Sequence, residues 1–421
     1  MATSAEPVSL SEWRRHGWII LPCLAGNLLC SVHSYALGAM IGPLESEFGW
    51  KRAEISAGLL VISTIAMVFA PIAGMALDRF GARRIVLPGV LLYCGALALL
   101  GTANQSILHW WVLWGLLGMA NMLVAPMVWA AAINGRFDQH RGKALALALC
   151  GSSVSAIFIP SLTTALIDWQ GWRGAYFTLG LISCGIVFPL VLLLFHDVSR
   201  PPEDQQRSAG MPRSRIAEVR GEMASPRFLK LAAAVALFTI ALCALTTNGV
   251  PVLISEGFDR TTASGIAAST GLGSLTGRLA GGFLLDRFDA KKVAAVSVAF
   301  PVLAVLLLLH TQESQLAAIS AFFVVGLSGG TELDACAYLT VRHFGMRNFG
   351  ALFGMITGLI LLANGVSPAG ANYIYDLTGS YDIALWIVAG LFAASGVMFL
   401  TLGRYPEAEA YTPQRLQGND R

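Results

Sequence analysis

Twelve apolar stretches follow one another along this chain, each of roughly 20 residues or more and so long enough to cross about 30 Å of hydrocarbon as a helix. Their approximate spans are 17–41, 54–76, 84–104, 108–134, 143–166, 173–196, 228–252, 262–285, 291–311, 314–341, 350–374 and 380–403. Only 13% of the 421 residues are charged, against about 25% in soluble domains, so the chain lacks the charge to cover a water-facing surface. Its solvent is lipid, where backbone polar groups must be satisfied internally and helices are the simplest answer. The sequence predicts an all-α integral membrane protein with 12 transmembrane helices.

A polar segment at 197–227, containing proline and arginine, divides six apolar stretches from six and has the composition of a mobile linker. The expected organisation is a cytoplasmic N-terminus at 1–16, a six-helix bundle at 17–196, a cytoplasmic linker at 197–227, a second bundle at 228–403 and a cytoplasmic tail at 404–421. With both termini inside, the inner segments hold 23 lysines and arginines and the outer loops 4. That asymmetry sets the orientation expected in a cell membrane, inner or plasma. The hydrophobic run after the polar N-terminus is too long for a signal-peptide core. The seven cysteines all fall inside apolar runs without metal-ligand spacing and read as packing residues. The sequence offers no catalytic constellation, cofactor motif or metal site, and no room for a signalling domain. That argues against an enzyme or a sensor, and neither a nucleic-acid partner nor an obligate oligomer is expected.

The chain repeats itself. "GMALDRFGARR" (Gly74–Arg84) returns as "GFLLDRFDAKK" (Gly282–Lys292) at an offset of 208 residues. At the same offset Pro43 matches Pro251, Arg52 matches Arg260, Ser56 matches Ser264, Gly118 matches Gly326, Pro160 matches Pro368 and Asp168 matches Asp376. An unbroken register over so many landmarks predicts two pseudo-symmetric six-helix bundles. Parallel halves of this kind are the architecture of a transporter that rocks about a central site.

The phrase at Gly74–Arg84 resembles the signature loop of the major facilitator superfamily (MFS), with Gly282–Lys292 as its degenerate second copy, and the resemblance spans essentially the whole chain. "SYA" (Ser34–Ala36), "EFGWKRAEIS" (Glu47–Ser56) and "GSLTGRLAGG" (Gly273–Gly282) resemble the monocarboxylate porter and oxalate/formate antiporter branch. The likeness implies a gating role for Gly74, Asp78, Arg79, Arg83, Asp286 and Arg287. Physically, Gly74 would let two helices approach closely. An acid at the end of helix 2 would pair with the opposite half in one state and release it in the other. A tight turn that merely obeys the positive-inside rule is the plainer alternative.

Charge at membrane depth is scarce. Of 25 acidic residues, Glu332 and Asp334 in "GGTELDACAYL" (Gly329–Leu339) are the exceptions to placement in termini, loops or helix ends, and Arg278 is their basic counterpart. A charge at the centre of a membrane helix costs about 2.5–3.5 kcal/mol on insertion scales, so such groups normally face a cavity and pair. In the superfamily's arrangement helices 8 and 10 both line the cavity. Arg278 is the expected anchor for an anion, since its planar fork grips a carboxylate with two hydrogen bonds; a structural arginine neutralised by Glu332 or Asp334 is the alternative. The two acids lie about 200° apart around a helix, so one can pair while the other titrates as a proton-coupling site, with Tyr338 one turn beyond Asp334 to hydrogen-bond it. A purely structural or gating role for the acids stays open.

Departures from the family matter. The aspartate that animal monocarboxylate porters carry one turn before the helix-8 arginine is here Ser274, and their helix-1 lysine aligns with Ala39. A second lysine in helix 11, as in oxalate-type exchangers, is absent. Further substrate-binding candidates are Asn27, Ser31 and Tyr35 in helix 1, Asn121 and Trp129 in helix 4, and Asn364 in helix 11, each also readable as a helix-packing residue. Glycines 271, 273 and 277 of helix 8 read as close-packing positions. The expectation is an alternating-access transporter of a small organic monocarboxylate, working as a monomer by proton symport in the inward direction. An anion exchanger and an exporter of hydrophobic compounds are the rivals.

Overall fold

The computed structural model describes residues 8–137, 140–196, 213–310, 314–345 and 348–403. Among these residues, twelve long helices make two bundles. In the first, α1 is Ile20–Phe48, α2 Arg52–Phe80, α3 Ala82–Leu99 and α4 Ile107–Asn134; α5 and α6 occupy 141–170 and 172–194. In the second, α7 runs from Pro226–Thr247 into Gly249–Ser255, α8 is Arg260–Arg287, α9 Ala290–His310, α10 Gln315–Phe344, α11 Phe349–Thr378 and α12 Asp382–Leu400. Buried hydrophobic residues form two separate cores, one from Ile19 to Phe195 and one from Phe228 to Leu402. Each half therefore packs on its own, and the interface between them is free to be polar.

Among the described residues, ten helical segments are long and apolar enough to cross a membrane. One of them, Arg141–Leu194, is two helices joined at Gly171, where φ is 73°. The remaining long helix, α8, falls short because it is written in Gly, Ser and Thr, residues chosen for close contact and not for lipid solubility. Cβ atoms added at Gly273 and Gly277 would collide with the α10 backbone at Phe323 and Leu327, and one at Gly271 would meet Ile157 and Ser153 of α5. The close packing expected of these glycines is made, partly across the two halves.

The internal repeat is visible in the turns. Gly49 (φ 68°) and Gly257 (φ 98°) stand at equivalent positions, as do Gly171 (φ 73°) and Gly379 (φ 74°); a left-handed residue at each turn favours glycine. The continuity expected within the stretches fails at prolines. Pro126 interrupts α4 after Val124–Ala125; Val128 N–H turns to Ala125 O at 2.9 Å, and the Val124 carbonyl it would have bonded is taken by Cys30 Sγ (2.6 Å) and Trp129 Nε1 (2.7 Å). Part of the expected linker is also helical, at Arg213–Met223, with Val8–His16 as a second short helix before α1. Residues 197–212 of the linker and the tail lie outside the described residues.

The halves meet where α2 packs on α11, α5 on α8 and α1 on α7. Because α1 and α12 place the chain ends at one face, that face is called the terminal end below and the opposite one the far end.

Candidate functional site

Helix lengths put Tyr35 of α1, Cys150 of α5, Cys243 of α7, Arg278 of α8, Glu332 and Asp334 of α10 and Asn364 of α11 near mid-height, where the two halves face each other. Arg278 is the hub. Its charge lies within electrostatic reach of Glu332 and Asp334 in its own half, and of Tyr35 and Cys150 in the other. Yet neither acid comes within ion-pair distance, and Nε and Nη1 of Arg278 are buried without a hydrogen-bond partner. Glu332 is 6% exposed and accepts instead from the Thr239 hydroxyl at 3.2 Å. Asp334 is half-buried. Beside them Cys243 Sγ donates to Asn364 Oδ1 at 2.8 Å. A buried guanidinium with idle donors is an anion site in chemical terms, because an unpaired buried charge is strongly unfavourable. Among the described residues no cluster of His, Cys, Asp and Glu is arranged to hold a metal.

Other expected residues sit elsewhere. Asn27 is buried and donates to Cys23 O at 2.9 Å, and the Ser31 hydroxyl donates to Asn27 O at 3.3 Å, both within α1. Trp129 is fully buried between Gly26 and Phe195 in the first-half core. Asn121 is half-buried just before the α4 break, with Oδ1 unpartnered. Tyr338 makes no hydrogen bond to Asp334; its ring lies 6.0 Å from the Arg342 guanidinium, one turn further along α10. His33, on α1 with Asn27 and Ser31 but not itself a candidate, is held in the core by Tyr93 at 2.9 Å. Ser274, which stands at the family's aspartate position, meets Ser153 of α5 at 2.9 Å and ties the halves together.

The signature loop behaves differently from expectation at one point. A Cβ at Gly74 would meet nothing within 4 Å, so the close helix approach expected there is not made in this conformation. Arg83 donates to Leu192 O on α6 at 2.9 Å, within its own half. Arg79 lies over Phe80, and Arg287 is exposed. The side chains of Asp78 and Asp286 lie outside what is described.

The far end carries a network that sequence reasoning missed. Asp376 on α11 accepts the backbone N–H groups of Arg52 (3.1 Å) and Ala53 (2.9 Å) at the start of α2. Arg52 in turn binds Glu45 (2.9 Å) and the Tyr381 hydroxyl (3.3 Å), and its guanidinium stacks 3.8 Å from the Tyr375 ring centre. Tyr381 donates to Asn372 Oδ1 (2.6 Å), and Asn372 Nδ2 donates to Ser56 (2.5 Å) and Asn248 (2.9 Å). Across the pseudo-axis, Arg260 faces Asp168 at 3.8 Å. The signal was present: Arg52/Arg260, Ser56/Ser264 and Asp168/Asp376 are all repeat-matched polar residues at helix ends. The hydrogen bonds and ion pairs described between the halves lie from Ser153–Ser274 at mid-height up to this network, so the molecule is closed at its far end.

Comparison with known proteins agrees with this architecture. The model of the Major Facilitator Superfamily matches residues 23–332 and 247–419. The chain is 27% identical to the MFS-type transporter pynF of Aspergillus niger, over 89% of this chain and 82% of that one. It is 26% identical to human monocarboxylate transporter 11, over 92% and 83% respectively, and 23% identical to bovine monocarboxylate transporter 13, over 94% and 91%. Among solved structures, the D-xylose-proton symporter superposes with a TM-score of 0.70 at 14% identity, covering 92% of this chain and 98% of that one. A mutant of the nucleoside transporter NupG gives 0.74 at 13% identity, covering 92% and 100%.

Proposed function

The chain belongs to the major facilitator superfamily, multi-pass membrane transporters of small solutes rather than enzymes, and from that premise we propose that it carries a small organic monocarboxylate by alternating access with proton symport. Arg278 is the anion anchor, and Glu332 or Asp334 takes the proton. The observation that supports this is the Arg278 guanidinium, buried at the boundary of the two halves with Nε and Nη1 unpartnered and two carboxylic residues within electrostatic reach. An anion on Arg278 and a proton on a helix-10 acid together neutralise the cavity, and closing a neutral cavity takes less desolvation than closing a charged one. Asn364 and Tyr35 are the polar groups in position to orient the substrate beside Arg278. The likeness to monocarboxylate transporters points to the same substrate class.

In this reading the termini are cytoplasmic, the membrane is the cell's own, and the protein acts as a monomer. The far-end closure then corresponds to an inward-facing state. The test is uptake into proteoliposomes of radiolabelled pyruvate and benzoate under an imposed pH gradient. Uptake should follow an inward proton gradient and vanish in Arg278→Ala. Transport that persists in Arg278→Ala would sink the site assignment. Anion exchange without proton movement would point to an exchanger with the same fold.

A further inference from the structure

We infer that a second cavity, at the far end between α1, α7 and α8, is an outer docking site for small carboxylates, with Arg260 as its anion anchor. The inference rests on the reading above, that the chain carries monocarboxylates and that its far end faces outward.

The cavity measures about 270 Å³ and is lined from both halves, slightly below the roughly 300–1,000 Å³ of ordinary small-molecule sites. Its floor is the crossing of α1 and α7, where Gly38 lies so close to the Thr247 carbonyl that a Cβ would collide with it. Pro43, Pro251 and Ile254 supply an apolar wall and Tyr375 an aromatic one. The charged side chains lining it are both arginines, Arg52 and Arg260, which the internal repeat makes equivalent. They are not equally engaged. Arg52 is committed to Glu45, Tyr381 and the Tyr375 ring. Arg260, its side chain 36% exposed, has no hydrogen bond among the described residues, and the Asp168 carboxylate stands 3.8 Å from it, beyond hydrogen-bond distance. Its Nη2 reaches across to α1 at Gly42, where an added Cβ would come within 3.9 Å.

An apolar-walled cavity with one under-used guanidinium fits a small amphipathic anion. The carboxylate takes the Arg260 fork, which Asp168 holds only loosely, and the hydrocarbon part lies against the prolines and Ile254. Docking draws Arg260 away from Asp168 and so removes one tie between α5 and α8 at the closed end. The substrate is left directly above the floor that must part for it to reach Arg278. Asp168 is thus a competitor as well as a latch partner, which gives the two residues opposite predicted effects.

The test measures the concentration dependence of radiolabelled benzoate and pyruvate transport from each face of the membrane, in intact cells and in inside-out vesicles. Arg260→Gln should raise the far-side KM about tenfold more than the terminal-side KM, the loss of one charge-assisted contact, with Arg260→Lys intermediate. Asp168→Asn should lower the far-side KM. An equal change on both faces, no change, or an Asp168→Asn effect matching that of Arg260→Gln would overturn the inference and leave only a structural latch. If Arg260→Gln fails to fold, Arg260→Lys is set beside Asp168→Asn: opposite effects on the far-side KM support the outer site, and effects in the same direction overturn it. Arg278→Ala separates this inference from the central site: inactive Arg278→Ala with an unaltered Arg260→Gln profile removes the outer site only, whereas active Arg278→Ala removes the central assignment and leaves the far-side KM readable. A protein that carries neither acid overturns both.

Discussion

The carboxylate of Asp376, in the last turn of α11, accepts the backbone N–H of Arg52 at 3.1 Å, so one half of the molecule caps a helix of the other. The repeat explains why. At the start of α8 the N-cap is Asp259, which accepts from Thr262 N–H at 3.0 Å within its own half. The equivalent position before α2 is Lys51, an ammonium that can accept nothing. The N-cap side chain that α8 supplies for itself, α2 borrows across the interface, its own Glu54 reaching only the Lys51 N–H at 3.0 Å, and the far end closes when it does so.

Asp376→Ala should therefore shift the molecule toward opening at the far end. A lost N-cap is worth about 1 kcal/mol, about a fivefold change in the ratio of two states. Spin labels at the exposed Ser46 and Leu377 should gain a longer-distance population. An unchanged distribution would mean that packing alone holds the end shut.

Lys51→Asp should give α2 a cap of its own. In an Asp376→Ala background it should restore thermal stability in detergent without restoring the short spin-label distance, since the new cap does not bridge the halves. Recovery of both together would show that Asp376 acts on helix stability and not as a latch.

Acidification should leave the α8 cap in place until the pH falls below the usual carboxylate range. Hydrogen bonds from Thr262 hold the Asp259 carboxyl below its usual range. For a depressed acid the stabilisation is present above its unfolded-state pKa and is lost as pH falls through the folded-state value. Asp259→Asn should flatten the acid dependence of thermal stability in detergent only below the usual carboxylate range; an effect near neutral pH would contradict the assignment.

Glu332→Gln and Asp334→Asn should separate the proton role. The variant that mimics the protonated coupling acid should retain substrate counterflow, lose accumulation driven by a proton gradient, and become insensitive to pH. Should both variants still accumulate substrate against its gradient, neither acid couples protons.

Cys243, hydrogen-bonded to Asn364 beside the anion site, should react with a small thiol reagent more slowly when pyruvate or benzoate is present. A variant retaining Cys243 as its single cysteine makes this measurable. Equal rates with and without the acids would place the substrate elsewhere.

Much of the architecture was legible without coordinates. Spacing of apolar runs and the 208-residue offset both report local or periodic properties, and each helix is long enough to declare itself. The candidate site was legible by elimination, because charge at membrane depth is too unfavourable to be casual; Arg278, Glu332 and Asp334 stand out for that reason. The helix-1 and helix-4 candidates were harder. Asn27 and Trp129 have side chains that suit a binding site equally well, and only the partners at Cys23, Gly26 and Phe195 show them turned into the bundle.

The sequence by itself determined that this chain is a duplicated twelve-helix membrane protein with one charged centre, since length, hydropathy and repetition are written residue by residue. Which groups meet was decided by tertiary structure alone. Arg278 keeps idle donors although two acids are near, Gly74 faces open space, and Asp376 caps a helix more than 300 positions away in the chain. The physical reason is that hydrogen bonds and ion pairs are fixed within a few tenths of an ångström, and that precision comes from how two separately packed bundles lean together.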